Sequence, residues 1–344
     1  MNAREARGVA VAAVLFLLVQ VGALAMVGPF ETAGYRAVED PSDPTNSLVY
    51  FAAILVATAL MLAAFKYAFE RAVRAVVVLS GALVSWYVFS VVTPPLVVVG
   101  PVNLLAVALS AGVAVALLVY PEWYVVDGAG VLMGIGAGAL FGISFGLLPA
   151  IVLLSVLAVY DAVSVYGTRH MLSLAEGVMD LRIPVILVVP LSLSYSLLED
   201  DFGGANEVHE DADGGDAAVD GGEGDAADDA TGDDGDAPDE GSERDAFFIG
   251  LGDAVMPTVM VASGAFFSPA PSLGVAALPA LNLPALLAMV GTFLGLGVLL
   301  RAVMKGRAHA GLPLLNGGAI GGYLLGSVLS GVPVVRALGL APYL

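Results

Sequence analysis

Nine apolar runs divide the chain, and each is long enough to cross the roughly 30 Å hydrocarbon core of a bilayer as a helix. They lie near residues 8–28, 46–65, 75–92, 97–120, 128–146, 148–166, 246–267, 283–300 and 313–335. The sequence is 58% hydrophobic with a mean hydropathy of +0.90, so it lacks the polar residues that a soluble globule of 344 residues needs. The pattern predicts an all-α polytopic membrane protein with nine transmembrane helices.

The run at 183–198 is excluded from the spans because it is short and contains Pro184 and Pro190. With nine spans and the N-terminus inside, only Arg36 and Arg336 of the 13 Lys and Arg residues fall outside, a strong positive-inside bias. We therefore expect a multi-pass protein of the cell membrane. Its N-terminus is predicted to be cytoplasmic and its C-terminus extracellular.

The formal net charge of −19 belongs to one loop. Residues 199–245 hold 20 of the 32 acidic residues and a single basic residue, and they contain almost no large apolar side chain. Such a segment cannot bury enough surface to fold, so it predicts a disordered acidic cytoplasmic loop, a composition that also suits a halophilic, high-salt cytoplasm. The loop divides the chain into a six-span part at 1–198 and a three-span part at 246–344.

Two aspartates, Asp161 and Asp253, stand alone inside the apolar runs. An ionised carboxylate at mid-bilayer costs roughly 3 kcal/mol on insertion scales, so such residues are functional candidates by default. In the predicted topology both lie roughly 8 to 11 Å below the cytoplasmic boundary, on adjacent antiparallel helices. They are therefore expected at matching depth.

Two carboxylates within a few ångströms of each other cannot both ionise, so they share one proton. One can then take a proton from a water that attacks a peptide carbonyl, while the other donates a proton to the carbonyl oxygen. This is the chemistry of an aspartic protease. Water would reach such a pair from the cytoplasm, and a substrate would reach it laterally from the lipid.

The residues around the aspartates carry a family resemblance. Asp161 follows a tyrosine, Asp253 closes a Gly-Leu-Gly-Asp string, and the last span has a proline-led motif. These features resemble the presenilin and signal peptide peptidase family of GxGD intramembrane aspartyl proteases, in particular its archaeal presenilin-like homologues, over nearly the whole chain. The resemblance implies that Asp161 and Asp253 are catalytic and that neighbouring residues bind substrate: Tyr160, Gly250, Leu251 and Gly252.

The family's Pro-Ala-Leu motif opens the ninth span. Literal copies occur here at 279–281 and 284–286, before and at the start of the eighth predicted span. At the start of the ninth, the corresponding string is Pro313-Leu314-Leu315, with a leucine in place of the alanine. We expect Pro313, Leu314 and Leu315 to be the substrate-binding set, because position in the fold decides function.

The stretch at 183–198 is β-branched and is expected to be extended. In this family it could pair with an unwound substrate strand, or it could simply pack beneath the loop. We expect transmembrane helical peptides or proteins as substrates and the lipid bilayer as the surroundings. No nucleic acid, cofactor or metal is implied, and no partner subunit is evident.

Three other functions are each compatible with part of the sequence. A proton-coupled membrane transporter or channel would also use buried acids, although no inverted repeat is detectable. A serine protease is suggested by Gly142-Ile143-Ser144-Phe145-Gly146, but no histidine lies inside a span to act as its base. A zinc protease lacks the H-E-x-x-H motif.

Overall fold

The computed structural model describes residues 3–67, 69–168, 185–192, 195–198, 246–304 and 310–343. The acidic loop at 199–245 lies outside these residues, so its predicted disorder stays a prediction. Five of the basic residues that are predicted to face the cytoplasm, at 169, 182, 244, 305 and 307, also lie outside the described residues.

Helices account for most of the described chain. They are α1 Ala3–Thr32, α2 Thr45–Lys66, α3 Glu70–Val92, α4 Leu104–Val119, α5 Trp123–Ser144, α6 Leu147–Val163, α7 Leu251–Phe267, α8 Leu283–Val303, α9 Gly311–Leu329 and α10 Val334–Ala337. Among the described residues, seven helices are long and apolar enough to cross a membrane, namely α1, α2, α3, α5, α6, α8 and α9. The other two predicted spans are shorter apolar helices, α4 with 16 residues and α7 with 17. The predicted class of helical polytopic membrane protein is confirmed, with a helix on every one of the nine runs.

Two short antiparallel sheets depart from the all-α prediction. The first pairs β1, Val98–Val99, with β2, Val102–Asn103, around Gly100, which has a φ of +61°. The run predicted as helix from residue 97 therefore becomes helical only at α4. The side chain of Asn103 accepts a hydrogen bond from the Leu105 N–H and so caps that helix.

The second sheet pairs β3, Ile186–Pro190, with β4, Ala246–Gly250, over all five residues of each strand. β3 confirms that this part of the 183–198 stretch is extended. The prediction that the seventh helix begins at residue 246 is wrong, because Ala246–Gly250 pairs with β3 and the helix begins at Leu251. This segment contains two phenylalanines and an isoleucine, which strands favour.

The boundaries of several long helices also differ from the predicted runs. α5 begins five residues earlier than predicted and so includes a buried acidic residue, Asp127. α9 ends at Leu329, before the predicted end of its run, because Gly331 has a φ of +73° and Pro333 starts α10.

Small residues allow the helices around α7 to pack closely. Gly291 of α8 and Gly318 of α9 meet so closely that a Cβ on either would strike the other's carbonyl oxygen. On α5, a Cβ on Gly138 would lie 2.7 Å from a methyl group of Thr258 in α7. α7 is surrounded by α1, α5, α6, α8 and α9, whereas α2 contacts mainly α6 and keeps large apolar residues exposed. Asp253, which lies on α7, is therefore on the most enclosed of the described helices.

Candidate active site

Asp161 lies near the C-terminal end of α6, where the helix changes its hydrogen-bonding pattern. α6 ends at Val163 and continues into a π-helical turn, Ser164–Thr168. Such turns occur frequently at functional sites. Only 5% of the surface of Asp161 is exposed, and a carboxylate buried to this extent is costly unless it accepts hydrogen bonds.

Tyr160, the residue before Asp161, connects α6 to α2. Its ring packs edge-on against that of Phe51, with the ring centroids 5.9 Å apart and an interplanar angle of 79°. The tyrosine is partly buried, so it forms part of the α2 side of the site.

Asp253 lies in the first turn of α7, immediately after β4, and is partly exposed. Gly250 and Gly252 leave room beside it: a Cβ on Gly250 would be 3.6 Å from the Oδ2 atom of Asp253, and a Cβ on Gly252 would meet nothing within 4 Å. Leu251 is buried, and its side chain lies against Gly134 of α5. The Gly-Leu-Gly-Asp string therefore combines two glycines at which a Cβ would meet no clash with a leucine anchored in the core.

The first turn of α9 brings the two aspartates together. The N–H of Leu312 donates a hydrogen bond of 3.0 Å to the Oδ2 atom of Asp161, and the N–H of Gly311 also lies near this carboxylate. A Cβ on Gly311 would lie 3.1 Å from the Oδ2 atom of Asp253 and 3.2 Å from its Oδ1 and Cγ atoms. Both carboxylates thus approach a single glycine, and they are close enough for their charges to interact.

Further hydrogen bonds fix α9 against α6. The N–H of Ala310 donates to the hydroxyl of Tyr166, at 3.4 Å, just before the helix begins. Deeper in the bundle, the Nδ2 atom of Asn316 donates to the carbonyl oxygen of Leu154, at 3.0 Å. Together with the bond from Leu312, these contacts hold the start of α9 at a fixed height relative to Asp161.

The Pro-Leu-Leu string occupies the first turns of α9. Pro313 is the third residue of the helix, a position where its missing N–H costs no hydrogen bond. Leu315 is fully buried, and Leu314 is partly buried with its carbonyl against Gly295 of α8. The residue that both aspartates approach is Gly311. Pro313, Leu314 and Leu315 thus begin two residues after it.

The literal Pro-Ala-Leu strings lie elsewhere. Residues 279–281 belong to the connection between α7 and α8, and 284–286 to the first turn of α8. The Cα atom of Pro284 lies 2.6 Å from where a Cβ on Gly326 would be, near the far end of α9. That contact is 15 residues from Gly311, or about 22 Å along the helix. Neither literal copy is near the aspartates.

Gly311 and Leu312 contribute main-chain groups that the sequence analysis missed. Every residue except proline has a main-chain N–H group, so residue identity does not reveal which of these groups acts as a donor in the site. One indirect signal was present: a proline in the first turn of a helix indicates that unsatisfied N–H groups lie close by, ready for an anion.

The alternative nucleophile, Ser144, is engaged in structural hydrogen bonds at the C-terminal end of α5. Its hydroxyl donates to the carbonyl oxygen of Leu140, at 2.6 Å, and accepts from the N–H of Ala37, at 2.9 Å. These bonds tie the α1–α2 connection to α5. The geometry therefore favours a structural role for the G-x-S-x-G string.

Helical spans around two juxtaposed aspartates, one buried and one partly exposed, define a polytopic membrane protein with a candidate acid/base site. Residues 13–332 match the family described as "Signal-peptide peptidase, presenilin aspartyl protease", and the chain belongs to this family.

Two solved structures support the assignment. One, a presenilin family intramembrane aspartate protease in space group C222, is 28% identical with a TM-score of 0.59 and covers 93% of this chain and 99% of its own. The other, a presenilin family intramembrane aspartate protease in space group P2, is 30% identical with a TM-score of 0.56 and covers 92% and 96%. A search of curated proteins gives no match.

Proposed function

We propose that this chain hydrolyses peptide bonds within transmembrane helices, using Asp161 and Asp253 as a general acid/base pair of the GxGD type. The observation that carries the proposal is the meeting of both carboxylates at Gly311. Membership of a family of intramembrane aspartyl proteases supports peptide hydrolysis over transport.

The hydrogen bonds around the pair suggest where the shared proton resides. Asp161 accepts the N–H of Leu312 at the start of α9, where the helix dipole is positive and favours a negative charge. Among the described residues, Asp253 accepts no hydrogen bond. In our proposal the resting pair therefore carries its charge on Asp161 and its proton on Asp253.

This distribution assigns a role to each aspartate. Asp161 removes a proton from a water molecule as the water oxygen attacks the scissile carbonyl carbon, and Asp253 donates its proton to the carbonyl oxygen. In the second step, Asp161 returns its proton to the amide nitrogen while Asp253 regains one from the diol. The C–N bond breaks, and both carboxyl groups return to their starting states.

The surroundings of the pair suit an extended segment of a membrane helix. Gly250 and Gly252 place no side chain beside the Asp253 turn, and the first turn of α9 borders both carboxylates. We propose that Pro313, Leu314 and Leu315 frame the substrate from α9 and that Tyr160 does so from α6. The Pro-Leu-Leu string would then have the same position as the family's Pro-Ala-Leu string. The cleft beside it would be narrower, because leucine is larger than alanine.

The proposed topology places the site near the cytoplasmic surface. The N-terminus and the acidic loop at 199–245 are cytoplasmic, the C-terminus is extracellular, and the parts at 1–198 and 246–344 each supply one aspartate. The bilayer then delivers the transmembrane substrate from the side, and the cytoplasm supplies water.

The purified full-length protein in liposomes tests the proposal directly. A transmembrane peptide with a fluorophore and a quencher at opposite ends should be cleaved, and mass spectrometry should locate the cut inside its apolar segment. A proton-coupled transporter would instead leave the peptide intact and acidify the liposome lumen when a pH gradient and its solute are applied.

A further inference from the structure

The β3–β4 hairpin leads directly into the helix that carries Asp253. β4 ends at Gly250, which is also the N-cap of α7. The first amide of that helix, the N–H of Leu251, donates a 2.8 Å hydrogen bond to the carbonyl oxygen of Val185, just before β3. The position of Asp253 therefore depends on where β3 is held.

Asp127 of α5 contacts β3 directly. Its Oδ1 atom accepts a hydrogen bond of 2.7 Å from the N–H of Val188, the central residue of the strand. Val188 lies opposite Phe248 in the sheet, and its amide points to α5, where it binds Asp127. Asp127 is 4% exposed, and its carboxylate plays no part in the proposed hydrolysis.

A buried acid inside a membrane helix is expected to have a function that offsets its cost. The carboxylate binds a main-chain amide, so it fixes the location of the strand whatever the side chains of the strand are. A main-chain amide buried without an acceptor would itself cost free energy, which makes the two groups dependent on each other.

Other contacts support the same segment from two helices. Glu122, at the N-cap of α5, accepts a 2.6 Å hydrogen bond from the Ser196 hydroxyl and a 3.0 Å bond from the Leu197 N–H. Arg7 of α1 donates to the carbonyl oxygen of Leu191, at 3.2 Å. The strand is thus held after its end by α1 and Glu122, whereas Asp127 acts at its centre, opposite β4.

We propose that Asp127 is a positioning residue for the proposed hydrolysis: it holds β3 in place, and the hairpin thereby sets the location of Asp253 relative to Asp161. This inference rests on the proposed function. Its distinguishing claim is that the acceptor oxygen of Asp127 is required and its negative charge is not.

Three variants at residue 127 test this claim in the cleavage assay. Asp127→Asn retains an oxygen that can accept the Val188 amide, so turnover should stay within about twofold of wild type. Asp127→Ala and Asp127→Leu remove the acceptor and should lower kcat by about tenfold or more with KM nearly unchanged, because the position of a reacting group is altered. An equal loss in Asp127→Asn, or normal kcat in Asp127→Ala, would overturn the proposal.

A double variant separates positioning from folding. Val188→Pro removes the donor at a position whose N–H is not used within the sheet, and combined with Asp127→Leu it leaves no polar group unpaired. The double variant should therefore fold with near wild-type thermal stability and still show the reduced kcat. Wild-type kcat in the folded double variant would contradict the proposed role.

Hydrogen exchange provides a readout that does not depend on cleavage. In Asp127→Ala, peptides covering 185–192 should exchange faster than in wild type, while in Asp127→Asn they should not; peptides from α8 serve as the internal control. If wild type fails to cleave, the proposed function fails, and this measurement still decides whether Asp127 holds the strand. Unchanged exchange in Asp127→Ala would show that it does not.

Discussion

Substitutions of Gly311 should impair catalysis without destabilising the fold. A Cβ at this position would lie 3.1 Å from the Oδ2 atom of Asp253 and 3.2 Å from its Cγ atom. Comfortable contacts to carbon are about 3.5 Å or longer, so the carboxylate would have to move by about 0.4 Å. Since a displacement of about 1 Å can cost a hundredfold in rate, Gly311→Ala should lower turnover by about three- to tenfold.

A larger side chain should have a larger effect. Gly311→Val adds two more methyl groups beside both carboxylates and should lower turnover by about a hundredfold. Thermal stability should change little in either variant, because the first residue of a helix makes few intrahelical contacts and alanine is favoured over glycine by up to about 1 kcal/mol.

Two glycines of the same helix provide matched controls. A Cβ on Gly317 would meet nothing within 4 Å, so Gly317→Ala and Gly317→Val should leave cleavage and stability nearly unchanged. A Cβ on Gly318 would strike the carbonyl of Gly291, so Gly318→Ala should destabilise the α8–α9 contact. The assay is the initial cleavage rate of the quenched transmembrane peptide, together with the thermal unfolding midpoint. More than half of wild-type turnover in Gly311→Val would refute the reasoning.

The remaining predictions concern the proline motifs, the acidic loop and the alternative nucleophile. Pro313→Ala should cut turnover several-fold with little loss of stability, whereas Pro284→Ala should affect stability at most; lost cleavage in Pro284→Ala alone would show that the wrong motif was chosen. Deleting 205–240 should leave cleavage largely intact and reduce salt tolerance, and an inactive but folded deletion variant at high salt would contradict the tether assignment. Ser144→Ala should retain full turnover while lowering the free energy of unfolding by about 1 to 2 kcal/mol, since the Ala37 amide loses its acceptor; complete loss of cleavage would revive the serine hypothesis.

The helices and the candidate aspartates could be recognised from the sequence because they depend on strong local physics. Apolar runs must satisfy their main chain internally in lipid, so the helices fall on the predicted runs. Asp161 and Asp253 stood out because a charge in such a run is costly, and the structure brings them together at Gly311. Topology also placed the string at Pro313, and not the one at Pro284, beside them.

The features that the sequence did not reveal depend on tertiary contacts. The start of α7 was misplaced because a five-residue apolar run has no periodicity that distinguishes a strand from a helix, and β4 forms only because β3 is beside it. The fifth span was predicted to begin one residue after Asp127, because an apolar run is interrupted by a charged residue. The sequence does not show the hydrogen bond from Val188 that satisfies this buried acid. The N–H groups of Gly311 and Leu312 have no sequence signature beyond the proline that follows them in the first turn of α9.

The most direct test of the central claim compares Asp161→Asn and Asp253→Asn with wild type in the peptide cleavage assay. Each substitution removes one of the two carboxylic acid groups that must share a proton, yet it preserves the size of the side chain and adds no buried charge. Both variants should fold with thermal stability at least equal to that of wild type, and both should be inactive. Wild-type activity should follow a bell-shaped dependence on pH, as expected for an acid and a base acting together. A folded single variant that retains more than about a tenth of wild-type turnover would contradict the two-aspartate mechanism.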